Sequence, residues 1–307
     1  MSIFALEVIR MTRILLSLLV SLLAFPLLAS DPPKRPKIIG IASLHFYSTK
    51  LATARAFYAK ILDPELTCVM CEEHVLDPFT VYPSIGQSVL FTKPDGDPPT
   101  NLLVEITFST DNLKAMRKYL EANGVQILRP RSADDSSFAV NDPEGHRVRF
   151  VQYQVIVSSS INPNPHHIIH AGFIVKDRAA EDKFYKDILG FRPYWHGGMK
   201  DDETTWVSQQ VPDGSDWLEY MLYDDSKADK HFRGVMNHIA LGVKDIQATK
   251  TQLLKNGVTL TEEPKLGRDG KWQLNVYDPD ETRVEFMEFT PSRPPCCSDF
   301  TAPHPKP

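Results

Sequence analysis

Positive charge is not in surplus in this 307-residue chain: 34 Lys and Arg stand against 39 Asp and Glu, a formal net charge of −5. That balance leaves no nucleic-acid footprint, and no acidic run marks a solvating tail. The apolar run at residues 14–28 has about 15 residues, short of the ~20 that a membrane span needs. Cysteine is scarce, at four, and none lies near the end of that run, so no lipid-anchored form is indicated. Glycine (15) is outnumbered by proline (24), most of which sits in linkers and at the C-terminus rather than in low-complexity tracts. The remainder, 42% apolar and 24% charged, is ordinary for a soluble globular protein. The length suggests two domains of about 150 residues each.

Arg10 and Arg13 precede the apolar run, and Ala29 and Ser30 follow it. A basic flank, a short apolar segment and a small-residue exit describe a secretory signal over residues 1–30. The expectation is an exported protein, periplasmic or secreted, with no stable membrane insertion after cleavage. An uncleaved anchor is the alternative. Cys68 and Cys71 form a CxxC in a strand-like run with no helix N-terminus to depress a thiol pKa. Cys296 and Cys297 are adjacent in a proline-rich tail, residues 291–307. Tail-to-domain disulfides or inert thiols suit these four better than a four-thiolate zinc site.

The chain repeats itself. Phe57-Tyr58-Ala59-Lys60-Ile61-Leu62 recurs as Phe184-Tyr185-Lys186-Asp187-Ile188-Leu189. Asp142-Pro143 followed by Arg147-Val148 recurs as Asp278-Pro279 followed by Arg283-Val284, and Asn123-Gly124-Val125 as Asn256-Gly257-Val258. The order is the same in both halves, as expected of a tandem architecture. The halves are residues 37–155 and 167–290, joined by a linker at 156–166. Each half divides again into two units that open with a strand (41–47, 103–108, 168–175, 237–243) and continue with an amphipathic helix (50–62, 111–123, 177–189, 245–256). Shorter strands follow, so the pattern is β-α-β-β-β four times. Strand alternation puts Ile239, Leu241 and Val243 on one face and His238, Ala240 and Gly242 on the other.

Four residues of the second half stand at matching places. His170 and His238 open the lead strands of its two units, and Glu219 and Glu285 sit in their last strands, each between apolar neighbours. A charge in the middle of such a strand is costly unless it is hydrogen-bonded, paired or metal-bound. Two imidazoles and two carboxylates suit one divalent ion: Zn, Ni, Co, Mn or Fe(II).

On these residues the chain resembles the vicinal oxygen chelate (VOC) superfamily, which holds glyoxalase I, bleomycin-resistance proteins and type I extradiol dioxygenases. The most specific stretches are His170 to Asp177 with Phe184-Tyr185, then Asn237 to Val243, then Asp278 to Glu285. The resemblance implies an α+β fold of two tandem VOC domains, each of paired βαβββ modules forming an open β-barrel-like sheet. It implies metal ligation by His170, Glu219, His238 and Glu285 in the glyoxalase manner, or by His170, His238 and Glu285 alone in the dioxygenase manner. The first half departs from the pattern. Ser43 stands in the place of His170, Glu105 in that of His238 and Arg149 in that of Glu285, so the expectation there is an ion pair between Glu105 and Arg149 and no metal.

Three readings follow. The first is a metal-dependent, glyoxalase-like lyase or isomerase acting on a small molecule with vicinal oxygens, with Glu285 and Glu219 as catalytic carboxylates. Export would argue against glutathione thiohemiacetals as substrate. The second is an Fe(II) extradiol-type dioxygenase of a catechol-like substrate, with His196 as an acid–base residue; the usual dioxygenase Tyr place is held by Asn275. The third is a non-catalytic small-molecule binder, which the four ligands disfavour. All four tryptophans, Trp195, Trp206, Trp217 and Trp272, fall in the second half as candidate pocket walls. Arg268 and Lys271 flank a Gly-rich turn as candidate anion binders.

Overall fold

The computed structural model describes residues 33–62, 78–129, 136–153, 166–224, 226 and 228–307. The expected signal segment, most of the linker, Cys68 and Cys71 lie outside them. The first half contributes strands β1 (Ile38–Tyr47), β2 (Phe79–Ser84), β3 (Gln87–Thr92), β4 (Leu103–Thr110), β5 (Ser137–Asn141) and β6 (Arg147–Gln152), with helices α1 (Leu51–Ile61) and α2 (Leu113–Ala122). The second contributes β7 (His167–Val175), β8 (Arg192–Gly197), β9 (Trp206–Gln210), β10 (Trp217–Leu222), β11 (His238–Val243), β12 (Lys265–Leu266), β13 (Trp272–Tyr277) and β14 (Arg283–Glu288). Its helices are α3 (Arg178–Asp182), α4 (Lys230–Met236) and α5 (Ile246–Lys255).

Each half folds into one mixed sheet, ordered β2-β3-β1-β4-β6-β5 in the first and β12-β13-β14-β11-β7-β10-β9-β8 in the second. In both, the lead strands of the two units pair antiparallel at the centre, β1 with β4 and β7 with β11. Each lead strand also pairs in parallel with the last strand of its own unit. This is the expected α+β tandem architecture.

The units of the second half show all four strands. In the first unit, residues 63–77 lie outside the description. In the second, residues 125–129 form no strand, though Leu128 N–H reaches the Ala139 carbonyl and Val125 N–H that of Leu120. Helix starts follow the sequence: Asn112, Asp177, Asp229 and Asp245 each accept a backbone N–H from the first turn. Glycines in the left-handed region end three of them, Gly124, Gly190 and Gly257, with φ of 75°, 79° and 73°. The helix expected over 177–189 departs from α geometry: α3 widens into a π turn over Lys183–Ile188. The wider turn accompanies two successive aromatics, Phe184 and Tyr185, that are both buried. Helix α4 is absent from the sequence reading.

The main core joins the helices to one face of both sheets and includes Ile239, Leu241, Val284, Phe286, Leu218 and Tyr220 from the second. A smaller cluster on the other face of the second sheet gathers Ile169, Tyr194, Trp195, Trp217, Ala240, Met287 and Phe289. The tail docks onto this side. Thr301 N–H reaches the Tyr194 carbonyl, Ser292 N–H reaches that of Gly270, and Phe300 packs on the small cluster.

Candidate metal centre

β14, β11, β7 and β10 are consecutive in the second sheet, and each supplies one of the four expected ligands. Alternation decides which face they take. Val284 and Phe286, Ile239 and Leu241, Leu218 and Tyr220 all enter the main core, so Glu285, His238 and Glu219 must face the other way. His238 pairs with Gly172 across β11 and β7. A Cβ on Gly172 would lie 1.9 Å from Cε1 of His238, so only glycine leaves room for that ring.

The donor atoms converge. Nε2 of His170 and Nε2 of His238 are 3.0 Å apart. Oε2 of Glu219 lies 3.8 Å from the first and 3.4 Å from the second. Oε2 of Glu285 lies 3.5 and 3.6 Å from them. Two donors each about 2.1 Å from a common ion, at 90–110°, lie ~3.0–3.4 Å apart. The imidazole pair at 3.0 Å and His238–Glu219 at 3.4 Å fall within that range, the other pairs at 3.5–3.8 Å lie just beyond it, and the chemistry of the set, two imidazoles with two carboxylates, suits one divalent ion. Nδ1 of His238 lies 3.1 Å from the Met236 carbonyl, which can accept its proton and leave Nε2 as the acceptor, a nitrogen that Nη2 of Arg283 also approaches at 2.7 Å.

Electrostatics favour the same protonation states. Burial disfavours charge on His238, Arg283 adds repulsion, and its pKa falls to about 4, so the ring is neutral. Burial alone would raise Glu285, but Arg283, His170 and His238 outweigh it and hold the carboxyl well below its ordinary value. Glu219 is likewise lowered against its burial by His238 and His170.

The site forms the floor of a cavity of about 560 Å³. Trp195, Trp206 and Trp217 line it, as the sequence reading expects of tryptophan, and Arg268 stands at its wall. Arg268 is already engaged, by the Gly198 carbonyl at 3.2 Å and by Asp201. Three expectations are corrected. His196 is exposed on β8 while Tyr194 and Trp195 before it are both buried and line the cavity, where a register shift between Pro193 and Trp195 breaks the strand's alternation. Trp272 packs against the main core rather than the cavity. Lys271, expected as an anion binder, is not among the residues that line the cavity. It is fully buried, with Nζ 4.5 Å from the Trp217 ring centre and 5.2 Å from those of Tyr194 and Phe300, and burial brings its pKa down to about 8. Cys296 and Cys297 bond to each other, which removes both the tail-to-domain pairing and the four-thiolate site as expected roles for them.

The sequence reading misses Arg283, Tyr194, Asp269 and Phe300, all lining the cavity. Arg283 had a signal, since Arg147 stands at the same place after the other Asp-Pro. Asp269 and Phe300 had none, because the loop and tail that deliver them carry no periodicity, and Tyr194 enters from β8 beside the expected Trp195.

In the first half Glu105 receives two arginines. Arg149 donates from Nε to Oε1 at 2.6 Å and from Nη2 to Oε2 at 2.9 Å, and Arg147 donates from Nε to Oε2 at 2.6 Å. The expected Glu105–Arg149 pair is present, doubled by Arg147.

With this geometry in view, the family model described as Glyoxalase/Bleomycin resistance protein/Dioxygenase superfamily matches residues 167–286. A lactoylglutathione lyase of Haemophilus influenzae is 32% identical over 123 residues, 39% of this chain and 91% of that protein. Among solved structures, an extradiol ring-cleaving dioxygenase from Brevibacterium fuscum superposes with a TM-score of 0.63 at 17% identity, covering 89% of this chain and 76% of that one. The anaerobic complex of homoprotocatechuate 2,3-dioxygenase from the same organism with 3,4-dihydroxyphenylacetate gives 0.61 at 17% identity, over 84% and 82%. At such identity the likeness is one of fold.

Proposed function

The chain belongs to the Glyoxalase/Bleomycin resistance protein/Dioxygenase superfamily, and on that premise we propose that it is a divalent-metal-dependent lyase or isomerase acting on a small molecule with vicinal oxygens. The observation that carries the reading is that a carboxylate oxygen of Glu219 and one of Glu285 each lie 3.4–3.8 Å from both Nε2 atoms of the His170–His238 pair, beside an aromatic cavity. The four residues would hold the ion, which when bound supplies Lewis-acid polarisation of two adjacent substrate oxygens. Glu285 is ionised at neutral pH and serves as the base for a proton on the carbon next to the polarised carbonyl. Glu219, across the imidazole pair, is the second carboxylate for proton return. Trp195, Trp206 and Trp217 exclude water from the reacting carbon.

The name of the Haemophilus influenzae relative supports the lyase reading. The two-half architecture, matched by ring-cleaving dioxygenases, supports a second reading, Fe(II)-dependent cleavage of a catechol-like substrate held with His170, His238 and Glu285. Against it, no histidine that could act as the acid–base group is among the described residues lining the cavity. The test is to reconstitute the metal-free protein with Ni, Co, Zn, Mn or anaerobic Fe(II), then assay 2-oxoaldehyde and α-hydroxyketone isomerisation beside O2 uptake with catechols. Isomerisation that is lost in Glu285→Gln supports the lyase. Iron-dependent O2 uptake that survives Glu219→Gln overturns it in favour of the dioxygenase.

A further inference from the structure

Arg283 precedes Glu285 by two residues on β14, shares its face and lines the same cavity. The side chain is 13% exposed. Nη2 lies 2.9 and 2.7 Å from the two ring nitrogens of His238, and Nε is buried without a hydrogen-bond partner among the described residues. Among the described residues its one carboxylate neighbour within 4 Å is Glu285, at 3.7 Å.

The first half shows the same arginine satisfied. Arg147 pairs in register with Glu105 across β6 and β4. Arg283 stands in the equivalent register with His238, one step before the Ile239–Val284 pair. Arg147 donates to Glu105 at 2.6 Å. In the second half that carboxylate is replaced by an imidazole, while the arginine is kept. Glu285 is claimed by the ion in the function proposed above. A buried guanidinium is then left without a counter-charge, which is costly unless an anion comes to it. The other cations lining the cavity among the described residues, Arg268 and Lys265, already have Asp201 and Glu262.

We propose that the substrate carries a carboxylate beside its vicinal oxygens, that Arg283 binds it, and that an aryl or alkyl body packs on Trp195, Trp206 and Trp217. The planar, forked guanidinium matches a carboxylate with two parallel hydrogen bonds. The inference rests on the reading of this cavity as a metal-dependent small-molecule site.

The test separates the anion from the metal. Tryptophan fluorescence follows titration of the full chain, incubated with excess Zn(II) so that Glu285 is engaged, with 3-phenylpropionate and with its neutral amide, neither of which carries vicinal oxygens. The expected result is at least a tenfold preference for the carboxylate in the wild type. It is abolished in Arg283→Gln and partly kept in Arg283→Lys, which retains the charge and guards against a folding defect. Equal affinity for acid and amide in the wild type, or a preference that survives Arg283→Gln, overturns the proposal. Metal content measured on the same samples tests the underlying reading: wild type that prefers the carboxylate yet binds no divalent ion overturns that reading and leaves the anion site.

Discussion

The hydroxyl of Tyr58 donates to Oδ2 of Asp278 at 3.3 Å, across 220 residues of chain. Tyr185 does the same for Asp142 at 3.2 Å. The two strongest repeat signals, the Phe-Tyr of the helix and the Asp-Pro of the turn, thus meet crosswise: each half's tyrosine completes the other half's turn. In both turns the aspartate also accepts two backbone N–H groups, from residues 144 and 146 or 280 and 282. Removing the tyrosine hydroxyl leaves a buried carboxylate short of one donor, a loss of about 1–3 kcal/mol. Tyr58→Phe and Tyr185→Phe are each expected to lower the midpoint of one shared urea transition. A transition that splits into two would contradict the crosswise lock.

Glu181 gives the same junction a pH dependence. It is fully buried beside Asp142, where the Phe-Tyr alignment puts Ala54 in the first half. Burial and then the Asp142 charge raise its pKa to about 9. The folded state therefore holds a proton that the unfolded state releases near pH 4.3. Between those values the folded chain binds more protons, so stability falls as pH rises through the window. Melting temperature is expected to drop from pH 5 to pH 9, and Glu181→Gln to flatten the drop with its gain largest at the alkaline end. A gain independent of pH would refute this assignment.

Gly172→Ala is expected to empty the metal centre without touching a ligand. Its Cβ would overlap the His238 ring, and the backbone of β7 is fixed on both sides by β10 and β11. Metal affinity should fall at least a hundredfold, read by competition with a chelator. Unchanged affinity would mean that His238 is not held where the geometry puts it.

Glu105→Ala is expected to destabilise the chain by roughly 1–3 kcal/mol, because Arg147 and Arg149 lose their partner while only 19% and 26% exposed. Metal content should not change, since the pair belongs to the other sheet. A variant that loses metal would show that the first half takes part in the site.

Much of this architecture was open to sequence reasoning because it is periodic. Ile239 and Leu241 alternate with His238, and Val284 and Phe286 flank Glu285, so the core face of each strand dictates the ligand face. The Glu105–Arg149 pair was legible because two positions that converge in one half must converge in its repeat. What escaped lies off the periodic elements. The tail folds back to place Phe300 in the cavity wall, and no local pattern in a proline-rich segment announces a docking surface. Lys271 sits beside two glycines yet is drawn under the sheet into a cage of Tyr194, Trp217 and Phe300, three residues distant in the chain. His196 and Trp195 differ by one position, and only the register of β8 decides which of them meets the cavity.

The most direct test of the central claim is elemental analysis of the purified chain after reconstitution, compared with His170→Ala, His238→Ala and Glu285→Ala. The account predicts one divalent ion per chain in the wild type and a loss of stoichiometric binding in every variant. A wild-type chain that holds no ion under any reconstitution, or a His170→Ala,His238→Ala double variant that still holds one, would contradict it.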